Sequence, residues 1–212
     1  MKDIKLVIFD LDGTLVNAYP AIIRSFNYAM QKLNYPKQGA LTIRRAVGWG
    51  DENLLRPFID RKDLKKALDL YRWHHKTALL KGSCLFPGAK KILQYLRGKG
   101  YKLAVASNRP TKFSLILIRH LGIKEYFDYV LCADKLKHGK PHPEILNKIM
   151  QRFNVLPHQA LYVGDMIIDA KAARRAKIKT IIVATGSSTK QEIEKENPYL
   201  IIKKISELLN IL

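Results

Sequence analysis

Apolar residues in this chain fall into short continuous runs, separated by stretches where they recur every three or four positions. The runs are Leu6–Phe9, Leu103–Ala106, Tyr129–Leu131, Leu161–Val163 and Thr180–Val183, with a shorter one at Leu200–Ile202. Apolarity without alternation suits strands buried on both faces, the condition of a parallel sheet covered by helices. Between the runs, residues 89–99 set Ile92, Leu93 and Leu96 on one helical face, and Gly100 follows as a stop. Residues 143–153 and 169–176 also read as helices. Strand and helix alternating in this way predict an α/β fold, a doubly wound parallel sheet with right-handed crossovers.

One region breaks the alternation. Residues 15–83 carry no convincing strand pattern, but Ile22, Phe26, Ala29, Met30 and Leu33 line one face of a helix. Leu64, Ala67, Leu68, Tyr71 and His75 line another. The expected organisation is an α/β core of residues 1–14 and 84–212, interrupted by a small helical cap of residues 15–83. Leu85-Phe86-Pro87-Gly88 marks the return to the core. A chain of 212 residues has room for such a core with one insertion.

Composition narrows the class. Cys84 and Cys132 both sit beside apolar residues, and are expected to be reduced core thiols of a cytoplasmic protein rather than a disulfide framework. The apolar run behind the charged start is too short for a signal peptide, and no stretch reaches the length of a membrane span. The formal charge of +20 fits either a nucleic-acid surface or a field that draws in anionic small molecules. Lysine and arginine are spread along the whole chain with no basic tail, which favours the second and makes nucleic acid an unlikely partner.

Chemistry gathers where the strands end. In a doubly wound sheet, ligands bind outside the carboxyl ends of the strands. The first strand ends in Asp10-Leu11-Asp12-Gly13-Thr14, the second in Ser107-Asn108-Arg109-Pro110 and the fourth in Gly164-Asp165, with Asp169 one helical turn on. A further loop carries His138-Gly139-Lys140-Pro141. Taken singly, Asp12-Gly13 reads as a turn, Asp169 and Ser107 as helix caps and Lys140 as a solvated loop residue. Together, three or four carboxylates brought to one sheet edge demand a cation, and all-oxygen ligation suits Mg²⁺. A lysine beside them would bind an anion as a point charge. The combination describes a phosphate site.

The order Asp10-x-Asp12-Gly13-Thr14, Ser107-Asn108, Lys140-Pro141-x-Pro143, Gly164-Asp165-x-x-x-Asp169 resembles the four motifs of the haloacid dehalogenase (HAD) superfamily, in its phosphoglycolate-phosphatase-like branch. The resemblance spans nearly the whole chain and implies a HAD-like Rossmannoid core with a helical cap. It also implies a role for each matching residue. Asp10 would be the nucleophile that forms an aspartyl-phosphate, and Asp12 the general acid and then base. The side chains of Asp10 and Asp165 and the carbonyl of Asp12 would hold Mg²⁺, with Asp169 one layer out or reaching the metal through water. Ser107, the Asn108 backbone N–H and Lys140 would bind the phosphoryl group.

Three positions depart from the branch. Met166 follows Asp165 where a small hydroxyl residue is common, Asn17-Ala18 replaces a common Asp-Ser, and Arg109 stands where lysine is frequent. In the cap, Gly48-Trp49-Gly50 invites close backbone approach to a small substrate, and Arg45 is the candidate for a second anionic group. Trp49 reads equally as a core anchor, and Arg24 and Arg44 are further candidates. His74-His75 straddles the surface and core faces of a helix. The expected activity is Mg²⁺-dependent hydrolysis of a small phosphorylated metabolite, with phosphoglycolate the leading substrate, by a monomer or homodimer. A sugar phosphomutase or inorganic pyrophosphatase of the same superfamily is the near alternative, and a basic nucleic-acid-associated protein the distant one. Phosphonate cleavage fits less well, because no cap lysine can be assigned to imine formation.

Overall fold

The computed structural model describes Met1 and residues 3–212. The chain opens with β1 (Leu6–Phe9) and β2 (Val16–Asn17), followed by α1 (Tyr19–Lys32), α2 (Ala40–Ala46), α3 (Asp51–Leu55) and α4 (Leu64–Gly82). Next come β3 (Cys84–Leu85), α5 (Ala89–Gly98), β4 (Lys102–Ser107), α6 (Thr111–His120), β5 (Tyr129–Cys132) and α7 (Glu144–Phe153). The chain closes with β6 (Ala160–Gly164), α8 (Ile167–Arg175), β7 (Lys179–Val183), α9 (Lys190–Glu194) and β8 (Leu200–Ile202).

Six strands form one sheet in the order β5-β4-β1-β6-β7-β8. Every pair in it is parallel. Phe9 lies opposite Val105 on one side and Val163 on the other, which fixes the register of the three central strands. Alternate residues of β1 serve opposite layers. Val7 and Phe9 join the cluster that includes α5 and α6, whereas Leu6 and Ile8 pack with Ile145, Leu146 and Ile149 of α7. Burying each such side chain contributes about 1.5–3 kcal/mol, which is why the strands read as unbroken apolar runs. From β1 the sheet grows outward to β4 and β5, then the chain crosses back to β6 on the other side of β1 and grows outward to β7 and β8, so the cleft of a doubly wound sheet opens at the carboxyl ends of β1 and β6.

Residues between β2 and β3 form a helical insert dominated by the packing of α1 on α4. Phe26 meets Phe58 edge-on at 5.2 Å between ring centroids. A two-residue antiparallel ribbon pairs Val16 with Leu85 and Asn17 with Cys84 where the chain leaves and re-enters the sheet layer. That ribbon exposes Cys84, contrary to its expected burial, because a strand of two residues has only one covered face. Cys132 is buried, with its Sγ 3.3 Å from Ser114 Oγ, and both thiols are free. Helix α6 has no clear signature in the sequence. Its run from Phe113 to Ile118 is nearly continuous in apolarity, so no helical period stands out although only one face is fully buried. Helix α1 starts at Ala18 without a side-chain cap, as the loss of a hydroxyl or carboxylate at that position requires. No helix among the described residues is long and apolar enough to cross a membrane.

Candidate active site

Asp10 leaves β1 with its backbone N–H donating to Val163 O at 2.9 Å, so the strand ladder carries its carboxylate to the edge between β4 and β6. There Lys140 reaches it, Nζ to Oδ1 3.0 Å. The same ammonium donates to Asp169 Oδ1 at 2.8 Å, Tyr162 Oη at 3.0 Å and Ala106 O at 3.1 Å. Burial opposes charge on this lysine, but Asp10 and Asp169 outweigh it and hold the ammonium above its ordinary range. The loop that delivers Lys140 is clamped by Asn108. Its Oδ1 accepts from Lys140 N at 2.8 Å, and its Nδ2 donates to Lys140 O at 2.9 Å and Gly48 O at 2.8 Å.

Asp169 is saturated. Its Oδ2 accepts the backbone N–H groups of Asp165 and Met166, at 3.1 and 3.0 Å, as a carboxylate near a helix start should. Its Oδ1 accepts from Tyr162 Oη at 2.7 Å as well as from Lys140. Asp165 differs. Thr14 Oγ1 donates to its Oδ1 at 2.8 Å, but its Oδ2 is buried and has no hydrogen-bond partner among the described residues. One carboxylate oxygen each from Asp10, Asp165 and Asp169 lie within 4.8 Å of one another. Burial, with Asp169 and Asp10 adding to it, pushes Asp165 well above the ordinary carboxylate range. Burial likewise raises Asp10 from 3.8 to about 7, Lys140 offsetting only part of the effect. A buried bare oxygen beside a second raised carboxylate is the donor set of a divalent cation. Glycine is required on both sides: a Cβ on Gly13 or Gly186 would overlap Asp165, and Gly13 also holds φ +87°.

Asp12 faces away from this cluster. Arg109 grips it with Nε to Oδ2 at 2.8 Å and Nη2 to Oδ1 at 2.6 Å. Arg109 Nη1 donates to His75 Nε2 at 2.7 Å. Because arginine only donates, His75 must accept at Nε2, which leaves the proton on Nδ1, 3.1 Å from Ser25 Oγ. Burial and then Arg109 push His75 down to about 2, so it stays neutral. Ser107 lies buried beneath, its Oγ accepting Arg109 N at 3.2 Å.

A cavity of about 40 Å³ separates the sheet edge from the helical insert. Asp10, Asp12, Ser107, Asn108, Arg109 and Lys140 form its sheet side. Ile22, Val47, Gly48, Gly50, Leu54 and Tyr71 face them, together with Asp51 and Met166. Asp51 is paired with Arg72 at 3.0 Å. Met166 packs so closely on Gly48 that a Cβ there would overlap its sulfur.

The proposed cap readers lie elsewhere. Arg45 forms an exposed pair with Glu192 at 2.8 Å, and Trp49 is 42% exposed; neither lines the cavity. Arg44 lies over the Tyr19 ring at 4.2 Å and donates to Thr185 O at 2.7 Å, and Arg24 lies beside Gly82. These side chains tie the insert to the loop after β7, or brace the insert itself. Sequence reasoning missed Arg109, Asp51 and Tyr71 as cavity walls. For Arg109 the signal was its place two residues after Ser107 at a strand end.

Fold and site together define a hydrolase class, and residues 7–183 match the family model of haloacid dehalogenase-like hydrolases. The chain belongs to that family. It is 31% identical to a phosphoglycolate phosphatase of Nitrosococcus oceani, over 100% of this chain and 98% of that one. It is 32% identical to a phosphoglycolate phosphatase of Haemophilus influenzae, over 98% of each. A crystal structure described as a predicted phosphoglycolate phosphatase from Haemophilus somnus superposes with a TM-score of 0.95 at 29% identity, covering 100% of this chain and 99% of the other.

Proposed function

We propose that this protein is a Mg²⁺-dependent phosphatase of small phosphorylated metabolites, with 2-phosphoglycolate the foremost substrate. The observation that carries the reading is the bare, buried Oδ2 of Asp165 beside Asp10 and Lys140. Asp10, Asp165 and the carbonyl of Asp12 would hold Mg²⁺, whose charge, when bound, neutralises the carboxylates and the phosphoryl oxygens. Asp10 then attacks phosphorus and forms an aspartyl-phosphate as the ester P–O bond breaks. Asp12 gives a proton to the departing oxygen, and later takes one from the water that hydrolyses the intermediate. Lys140 holds charge on the nucleophile and phosphoryl group, Ser107 and the Asn108 N–H receive phosphoryl oxygens, and Asp169 fixes Lys140. Such catalysis consists mostly of positioning and charge stabilisation.

In this reading residues 15–83 act as a cap that excludes water from the reacting group. Two free thiols accord with a cytoplasmic setting. Phosphate release from a panel of metabolite esters, with Mg²⁺ and with excess chelator, tests the proposal. Turnover of 2-phosphoglycolate that stops in chelator and in Asp10→Asn is expected. Full turnover in chelator would overturn it.

A further inference from the structure

We infer that Arg109 is the receptor for the substrate's carboxylate, and so the residue that selects a carboxylated phosphate ester over a plain one. The inference rests on the phosphatase reading above and adds to it the group that reads the far end of the substrate.

The argument begins with charge inside the cavity. Among the described residues, Lys140 and Arg109 are the two cations that line it. Lys140 is committed on the sheet side, with Asp10, Asp169, Tyr162 and Ala106 around its ammonium. Arg109 sits toward the insert, where a group beyond the phosphoryl would lie, and His75 of α4 touches it from that side. The insert's arginines Arg24, Arg44 and Arg45 lie outside the cavity lining. Asp51, the remaining charged wall, is an acid paired with Arg72 and repels a carboxylate. The other walls are apolar: Ile22, Val47, Leu54 and the Tyr71 ring.

The guanidinium is also prepared for the task. It is buried, and three of its five N–H groups are engaged, two by Asp12 and one by His75. Two N–H groups remain for a ligand. Held by Asp12 from the sheet and by His75 from the insert, the plane cannot turn freely, so little rotamer entropy is lost when an anion binds. A lysine here would offer a charge without this planar fork. Because the same guanidinium holds Asp12, a carboxylate bound to it lies on one frame with the acid that serves the leaving oxygen.

The test compares kcat/KM, with Mg²⁺, for 2-phosphoglycolate and for ethyl phosphate, which has the same two carbons and no carboxylate. Wild type, Arg109→Lys and Arg109→Gln are measured. Calorimetric binding of 3-phosphonopropionate against propylphosphonate provides the same comparison without turnover. Wild type should favour the carboxylated member of each pair by between about tenfold and about a hundredfold, the range of a charge-assisted contact. Arg109→Gln should bring both ratios near unity. Arg109→Lys, which keeps a charge opposite Asp12 and guards against misfolding, should restore part of the preference. A wild-type preference that survives in both variants overturns the inference and leaves the phosphatase reading standing. Equal use of both esters by wild type removes the phosphoglycolate reading and the inference with it. Absence of turnover on every ester removes the phosphatase reading, while the binding ratio still decides for or against Arg109.

Discussion

The stability that Mg²⁺ adds to the protein should grow as pH rises from about 4 to about 8, because the metal-free form alone carries the cost of ionising its buried carboxyls. Asp10 is raised from 3.8 to about 7 by burial, with Asp169 and Asp12 adding to it and Lys140 opposing. A carboxyl raised on folding binds its proton more tightly in the native state. Its contribution is complete below 3.8 and is lost as pH climbs through about 7. A rise of roughly three pH units at about 1.4 kcal/mol each gives a loss of about 4 kcal/mol. Asp165 is shifted in the same direction and adds to it. At about 2–4 °C per kcal/mol for a chain of this size, the gap between Mg²⁺-loaded and metal-free melting temperatures should widen by about 8–16 °C. Glu144 and Glu192 are lowered to about 2 by their Lys148 and Arg45 partners. Their contribution is lost as pH falls below about 4.5, and that of His75, held down to about 2, is lost as pH falls below 6.5; both act alike with and without metal and cancel in the comparison. Calorimetric melting of chelator-treated protein, with and without excess Mg²⁺, measures the effect. Asp165→Asn should melt higher than wild type at pH 8 without metal, and gain little from Mg²⁺. A gap between Mg²⁺-loaded and metal-free melting temperatures that stays flat or narrows from pH 4 to 8 would refute the cation-site argument.

Other consequences are independent of that one. Asp12→Asn should give a burst of aryl alcohol from an aryl phosphate and accumulate acyl-phosphate on Asp10, detected by mass spectrometry after borohydride trapping, because breakdown loses general-base help worth about 10²–10⁴-fold. Wild-type turnover in that variant, or label on another residue, would overturn the roles given to the two aspartates. Gly186→Ala would force a methyl into Asp165 and its backbone. It should lower Tm and weaken Mg²⁺ activation together, by an overpacking cost of about 1–3 kcal/mol; unchanged activation would show that the Asp165 environment tolerates the shift. If the +20 charge steers substrate, added salt should reduce kcat/KM more than kcat, since charges more than about 10 Å apart are screened at 0.1 M. Tight duplex DNA binding that competes with substrate would favour the nucleic-acid reading of that charge instead.

Sheet and polar strand ends could be read in advance because burial on both faces leaves an unambiguous trace. Leu6–Phe9 and Thr180–Val183 have no polar alternation to confuse with a surface strand. Features set by a few residues left no such trace. The ribbon of Val16–Asn17 with Cys84–Leu85 is too short for a period, and Cys84 beside Leu85 resembles a core thiol although its strand is covered on one face. Trp49 adjoins glycines that do reach the cavity and Arg45 lies three residues before them, but nearness in sequence says little about direction. Gly48 and Gly50 line the cavity while the side chain at 45 reaches the other way to Glu192. Arg109 could be read only as a retained charge, since its partners, Asp12 and His75, are 97 and 34 residues away.

The two aspartates at the end of β1 show how a turn assigns different surroundings to neighbouring residues. Had the strand continued, residues two apart would have shared one face, and both carboxylates would have crowded a single cluster. The chain turns instead. Leu11 O accepts the N–H groups of Thr14, Leu15 and Val16, and Gly13 N donates to Val16 O at 2.8 Å. That closure needs the left-handed conformation Gly13 adopts at φ +87°, where a side chain would also strike Asp165. The turn peels Asp12 toward the insert and into the fork of Arg109, while Asp10 stays over Lys140 and Asp165. The proposed nucleophile and proton carrier thereby acquire separate partners within three residues. One belongs to the buried carboxylate cluster of the sheet, and the other is joined through Arg109 and His75 to α4. Motion of the insert would therefore reach Asp12 through His75 and Arg109, and Asp10 through Gly48, Asn108 and Lys140.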